Sequence, residues 1–539
     1  MHVAIGHYSI GSSDGVNTVI WRTVSELLQI DPSIKITVFG KAHDNIDIFL
    51  PWYNDQLKYY DMPELSPDYR IPGLEGKDVR IQRVHDYVWH GTNVAERLGK
   101  QFADVDVVLV ENLSVGVNPA VTYAFYIWTL LEYRAHSNKR FLVRVHDFAQ
   151  QRPANFANIK KFQSFLPNDM PDWHQILYPS TPNIEYITIN TTDYHRLLDH
   201  GIEPTKVWYV PNSIDNSLVQ CEKPCTDLRR LLETEKGVDP EAAILFYPVR
   251  SIPRKNVEEA IFMTHLLNQL AKDPNKREKY QLDEKFHLVV SLGGTSRKER
   301  DYTDQIKDFV QRHNLPVTIG IGDLVGLHRE YDPDDPNRIL RHGVADMYSV
   351  ARMTVSTSVL EGFGFVFIEP WVFDQCVIGR NIPSVTMDFT KAGLSLDHLY
   401  NVLLVNGNDY ADLGVDEADG GLNVRLEEIL KLEDPAYLRM VYYKNGASLR
   451  GTLRLFRPER RRNLRDNLVR GNQKTVLKNY SSRKTVGQLY RIMLKQEPVY
   501  VEPRFGLGRG SLANHLVSQT TSGSNKRHRG KLTDDRESA

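Results

Sequence analysis

The sequence predicts an α/β protein built from two doubly wound domains that face each other across a cleft. Short β-branched apolar runs alternate with amphipathic stretches, the pattern of parallel strands joined by crossover helices. That alternation occurs twice, on either side of a mixed segment at 216–240 that carries Cys, Pro and charges but no sustained strand. A chain of 539 residues also exceeds what one ordinary core organises, so two domains with peripheral elements are expected.

In the first series, 1–215, strands are expected at 3–5, 34–39, 105–110, 141–145, 186–189 and 207–210, with helices at 17–28 and 191–198. Residues 216–240 read as the interdomain linker. The second series, 241–436, has expected strands at 243–249, 287–292, 316–319, 353–356 and 376–379, a helix at 256–270 and another from Gly364 onward. A helical extension fills 437–500, and the polar residues 520–539 read as a disordered tail. No short-period repeat is present.

Composition bounds the class. Apolar residues make up 41% and charged residues 25% of the chain, as in soluble globular proteins. The formal charge of -1 gives no global attraction for nucleic acid or an anionic membrane, so neither partner is expected. The longest apolar run, 121–131, reads as a buried helix rather than a membrane span. The first residues lack a signal-peptide pattern and read as a buried strand. Three cysteines cannot build a disulfide framework, which favours a reducing, cytoplasmic setting; Cys221 and Cys225 resemble half a metal site that no second pair completes.

The chemistry concentrates in Ser358-Val-Leu-Glu361-Gly-Phe-Gly-Phe-Val-Phe-Ile-Glu369-Pro. Gly362 and Gly364 let the backbone approach a ligand, and a helix beginning there would direct free N–H groups at an anion such as a departing diphosphate. Glu361 before that helix and Glu369 within it suit hydroxyl-rich ligands, since carboxylates accept from vicinal hydroxyls. Ser358 and Glu361 also fit a capping box, although glycines directly after Glu361 make a poor helix interior. Arg250 and Lys255, in Phe246-Tyr-Pro-Val-Arg250-Ser-Ile-Pro-Arg-Lys255-Asn, place cations after a strand end where they would neutralise a diphosphate; Arg254 competes for that role.

These motifs resemble the retaining glycosyltransferases of family four, which have the GT-B fold. The segment from Glu361 to Glu369 is similar to that family's E-x7-E signature, with Val344-Ala-Asp-Met-Tyr348 as its lead-in. The resemblance implies that Glu361 and the backbone at Gly362, Phe363 and Gly364 hold the transferred sugar, that Glu369 grips the ribose, and that Arg250 and Lys255 bind the diphosphate. Gly11-Ser-Ser-Asp-Gly15-Val16 resembles the glycine loop that approaches the donor phosphates, and it is not the G-x-G-x-x-G of dehydrogenases. His146, in Arg144-Val-His146-Asp147, resembles the His that meets the donor sugar from the opposite domain. Val210-Pro-Asn212-Ser-Ile-Asp215 resembles the strand closing the first domain, with Ser213 in place of Gly. The resemblance also implies that a helix near 480–495 crosses back to the first domain.

The expected activity is transfer of a hexose from a nucleoside diphosphate sugar to an acceptor hydroxyl, with retention and without metal or other cofactor. A sugar phosphorylase on the same scaffold and a non-catalytic nucleotide-sugar binder are the alternatives. Asp332, Asp334 and Asp335 mimic a D-x-D metal clamp, but Pro333 and Pro336 mark a turn-rich surface loop. The basic stretch 450–470, with Arg460-Arg-Arg462, reads as a solvated helix or as a surface for an anionic acceptor or membrane, and Lys526-Arg-His-Arg-Gly-Lys531 as part of a solvated tail.

Overall fold

The computed structural model describes residues 1–11, 14–43, 56–66, 84–164, 166, 171–214, 226–335, 337–415, 421–456 and 462–496. Its first domain is a seven-stranded parallel sheet of β1 (His2–Ile10), β2 (Lys35–Ala42), β3 (Leu57–Asp61), β4 (Val107–Glu111), β5 (Arg140–Val145), β6 (Ile184–Thr188) and β7 (Val207–Tyr209), in the order β3-β2-β1-β4-β5-β6-β7. Every residue of β4 and β5 is buried, as central strands covered on both faces require. Side chains alternate between the two layers. Val3 and Ile5 join the core under the helix Gly15–Ile30, whereas Ala4 points to the opposite core with Val108, Phe141 and Trp128.

The second domain has a five-stranded parallel sheet of β8 (Ala243–Arg250), β9 (Phe286–Leu292), β10 (Val317–Ile319), β14 (Met353–Ser356) and β15 (Val377–Gly379), ordered β10-β9-β8-β14-β15. Between β10 and β14, the short strands β11 (Val325–Gly326), β12 (Glu330–Tyr331) and β13 (Ile339–Gly343) form a small separate sheet. In each domain the winding reverses beside the first strand, between β1 and β4 and between β8 and β14. Ligands of open α/β sheets bind at the carboxyl ends of such strands.

The strands expected from sequence are present, but β3 and the small sheet are additions. The linker needs correction. Residues 226–236 form a helix, and Leu228 and Leu232 are buried against Ile244, Phe246, Met347 and Tyr348, so this segment belongs to the second domain; 216–225 lie outside the described residues. The cause is its own amphipathic pattern, two leucines one turn apart among charges. The helix expected from Gly364 is also corrected. Gly364 is left-handed, a 3-10 turn follows at Phe365–Phe367, and the α-helix is only Glu369–Val372. Pro370 lacks an N–H and restricts the residue before it, which breaks the run into two short pieces. The acidic loop is a hairpin turn: Arg338 Nη1 donates to Asp332 Oδ2 at 3.2 Å and the Asp334 amide to Asp332 Oδ1 at 2.9 Å. Pro336, Arg460, Arg461, Cys221, Cys225 and 520–539 lie outside the described residues.

The chain passes between domains twice at one place. Ile214 pairs with Ser481, the Ile214 amide donates to the Tyr480 carbonyl at 2.8 Å, and Ser482 Oγ donates to the Ile214 carbonyl at 2.6 Å. The helix Arg462–Tyr480 packs on the second domain, with Val469, Val476 and Tyr480 in its core. The next helix, Ser482–Met493, lies on the first domain and buries Val486, Leu489, Ile492 and Met493 against Val3, Ile5 and Leu109. Its C-terminal carbonyls are capped by Arg140, whose Nη1 donates to Ile492 O at 2.8 Å and Met493 O at 2.9 Å. No helix among the described residues is long and apolar enough to cross a membrane. Leu489→Ala should leave a cavity beneath this strap and cost about 3 kcal/mol, whereas Tyr490→Phe, which loses one hydrogen bond to Asp31, should cost about 1 kcal/mol; urea denaturation checks both.

Candidate active site

Two loops of the second domain are laced together by one buried tyrosine. Tyr247, on β8, donates its hydroxyl to the Lys255 carbonyl at 2.7 Å, lies 2.8 Å from Ser358 Oγ and accepts from the Thr357 amide at 3.2 Å. Asn256, left-handed at φ 49°, ties its side chain to the Thr357 carbonyl at 3.2 Å, and the Val359 amide reaches the Arg254 carbonyl at 3.0 Å. The loop after β8 and the loop after β14 therefore form one rigid ledge. On it Lys255 Nζ lies 2.5 Å from both oxygens of Glu361, and Arg254 stands 3.6 Å from Glu361 Oε2 while donating to the Leu360 carbonyl. Burial favours the neutral acid at Glu361, but Lys255 and Arg254 together hold its carboxyl below the ordinary range.

The first domain presents the ends of β1, β4 and β5. Glu111, fully buried, accepts from His146 Nε2 at 2.8 Å and lies 3.3 Å from Arg144 Nη1. Burial opposes its ionisation, yet Arg144 and His146 keep the carboxyl below its usual range. His7 is hydrogen-bonded through Nδ1 to the Glu111 carbonyl at 3.0 Å, and burial pushes its imidazole below the ordinary value. Asn112, left-handed at φ 60°, uses its side-chain oxygen to accept from the His146 and Asp147 amides at 3.3 and 2.9 Å, which fixes that turn.

Gly362 joins the two walls. Its carbonyl accepts from Asn190 Nδ2 at 3.1 Å, and a Cβ at this position would lie 3.0 Å from the His146 carbonyl and 3.6 Å from Asp147 Oδ1. A side chain here would press on the first-domain backbone, so glycine eases the close approach of the ledge. Beside it, Thr191 donates from its amide and hydroxyl to Asp388 across the domains, at 2.7 and 2.5 Å.

The structure thus brings Lys255, Glu361, Gly362 and His146 together. Arg250 faces the turn after β9, donating to Thr295 Oγ1 at 3.1 Å with Glu299 at 3.8 Å. Glu369 pairs with Arg22 of the first domain at 2.8 Å. Gly15 and Val16 open the Gly15–Ile30 helix, but the Val16 amide donates to its own cap, Asp14, at 2.9 Å. The Phe363 ring is core, packed with Phe365, Phe389 and Tyr480. Glu111, Asn112, Asn190 and Tyr247 were not identified from sequence; for Glu111-Asn112 the signal was a polar pair ending a wholly apolar strand. Among the described residues no group of three or more His, Cys, Asp or Glu side chains could hold a metal ion.

No protein-family profile matches the chain. It is 28% identical over 397 residues to mannosylglucosyl-3-phosphoglycerate synthase of Petrotoga mobilis, a span covering 71% of this chain and 65% of that protein. The chain therefore matches just under two thirds of that relative's length. A glycosyltransferase of Rickettsia africae superposes with a TM-score of 0.51 at 13% identity, over 92% of this chain and 99% of that one. HepE of Anabaena, solved in complex with UDP-glucose, superposes with a TM-score of 0.50 at 11% identity, over 92% and 100% of the two chains. The fold is GT-B. The ledge around Lys255 belongs to the second domain and the wall around His146 to the first, and the two meet at Gly362.

The depressed Glu361 carboxyl has a consequence for stability. Because its folded pKa lies below the unfolded value, near 4.5, its ionised form stabilises the fold above that pH, and the contribution is lost as pH falls through the folded pKa. Glu361→Gln should therefore be most destabilising at neutral pH and approach wild type in acid, as measured by urea denaturation between pH 3 and 7.

Proposed function

We propose that this chain is a retaining, metal-independent hexosyltransferase that uses a nucleoside diphosphate sugar. The observation that carries the proposal is the Lys255–Glu361 pair on the second-domain ledge, with Gly362 brought against His146 and Asp147 at the mouths of both sheets. Donor binds mainly to the second domain and acceptor mainly to the first, and closure excludes water that would hydrolyse the activated sugar. Arg250, Lys255 and Arg254 supply positive charge for the departing diphosphate, so no metal ion is required for that role. Glu361 and the Gly362–Gly364 backbone hold the hexose, His146 meets it from the opposite wall, and Glu369 accepts from the ribose. The acceptor hydroxyl attacks from the face the diphosphate leaves, and a diphosphate oxygen takes its proton. The name of the Petrotoga mobilis relative supports a glycosylated phosphoglycerate as the acceptor class. The absence of a disulfide framework supports a cytoplasmic setting.

A thermal-shift and transfer screen against nucleotide sugars, with glycosyl phosphoglycerates as acceptors, tests this reading. One donor should raise Tm, and NMR of the product should show the donor's anomeric configuration. An inverted product would overturn retention, and sugar 1-phosphate formation from a glycoside and phosphate would point to a phosphorylase. Within the site, Arg250→Ala should lower kcat by about a hundredfold with little change in Tm, because Thr295 and Glu299 keep their own partners. Glu369→Ala should raise the donor KM by about tenfold with a smaller effect on kcat. Steady-state kinetics separate the two.

A further inference from the structure

Arg22 belongs to the first domain yet reaches the donor side of the cleft. It lies on the helix Gly15–Ile30 with its side chain 3% exposed. Nη2 donates to Glu369 Oε1 at 2.8 Å, Nη1 donates to the Ser213 carbonyl at 2.6 Å, and the guanidinium carbon sits 5.1 Å from the centre of the Phe365 ring. Ser213 directly precedes Ile214, the residue paired with Ser481 where the chain passes between domains. A guanidinium is a rigid planar fork, so fixing one prong on the Ser213 carbonyl and the plane over Phe365 fixes the direction of the other prong. The Glu369 carboxylate is then held at Oε1, leaving Oε2 to accept from a ligand.

The second domain also holds an unpaired buried hydroxyl. The Tyr348 hydroxyl is fully buried and has no hydrogen-bond partner among the described residues, a costly state for a polar group in the interior. Its surroundings include both charges: burial and then Glu369 push the phenol well above its ordinary range, and Arg22 opposes them. Glu369 Oε2, which the Arg22 contact does not use, suits a ligand that donates hydrogen bonds, as a vicinal diol does.

We propose that Arg22 is a positioning residue of the donor site, which aims the Glu369 carboxylate at the ribose diol and ties that contact to the hinge between the domains. This rests on the reading of Glu369 as the ribose acceptor. Ribose recognition then depends on both domains being in contact, although the donor sits on the second.

Calorimetric titration of UDP and GDP and of their 2′-deoxy counterparts tests it on the full chain, comparing wild type with Arg22→Ala, Arg22→Lys and Glu369→Gln. Wild type should prefer the ribonucleotide by roughly tenfold, the worth of one hydrogen bond to a charged group. Arg22→Ala should bring that preference close to one. Arg22→Lys should retain part of it, since one ammonium keeps the charge but not the fork; if Arg22→Ala does not fold, the lysine variant carries the test. A merely structural role for Arg22 would lower Tm and leave the ribose preference intact, and that result in folded Arg22 variants would overturn the proposal while Glu369→Gln loses the preference. Retention of the preference by Glu369→Gln would instead overturn the ribose assignment of Glu369 itself.

Discussion

A carboxylate and an ammonium paired between the loops after adjacent strands set the geometry of this site. Lys255 and Glu361, with side chains 12% and 9% exposed, need each other as counter-charges, and Arg254 stands 3.6 Å from the same carboxylate. Meeting that need requires the loops after β8 and β14 to stay in register, which Tyr247 and Asn256 achieve through backbone contacts. The pair is thus the reason the ledge is rigid. Gly362 follows Glu361 directly, so fixing the carboxylate also fixes the backbone that meets His146 and Asp147.

The opposite wall repeats the logic with different groups. Glu111 stands 3.3 Å from Arg144 and accepts from His146, and Asn112 holds the turn that carries His146 and Asp147. Each wall carries one carboxylate paired with basic side chains and one left-handed asparagine that shapes a strand-end turn. Such arrangements are preorganised: their charges are oriented by protein partners before any ligand arrives, as the proposed role in diphosphate departure requires. The chain crosses between the domains at Ile214 and Ser481, and Arg22 connects that crossing to Glu369.

Much of this was legible in the residues because it rests on local patterns. Apolar runs such as 107–110 and 288–290 declare central parallel strands, and the glycines after Glu361 declare a turn. The sequence-based expectation failed where tertiary pairing decides. Nothing local to Arg22 says that it will meet Glu369, 347 residues away, or that Arg250 will face Thr295 while Lys255 turns to Glu361. The Gly364 helix was misjudged because its apolar periodicity outweighed Pro370, whose missing N–H and steric demands shortened it. Residues 226–236 carried their helical pattern openly, but the Cys- and Pro-containing text before them disguised a packed helix as linker.

A crystal structure of the chain with a bound nucleoside diphosphate tests the central claim most directly. The account predicts that the terminal phosphate lies within hydrogen-bond distance of Lys255 Nζ and the backbone amides between Gly362 and Gly364, with Arg250 turned from Thr295 towards the diphosphate. A diphosphate bound away from that ledge, with the Lys255–Glu361 pair sealed behind side chains and Arg250 still on Thr295, would contradict it.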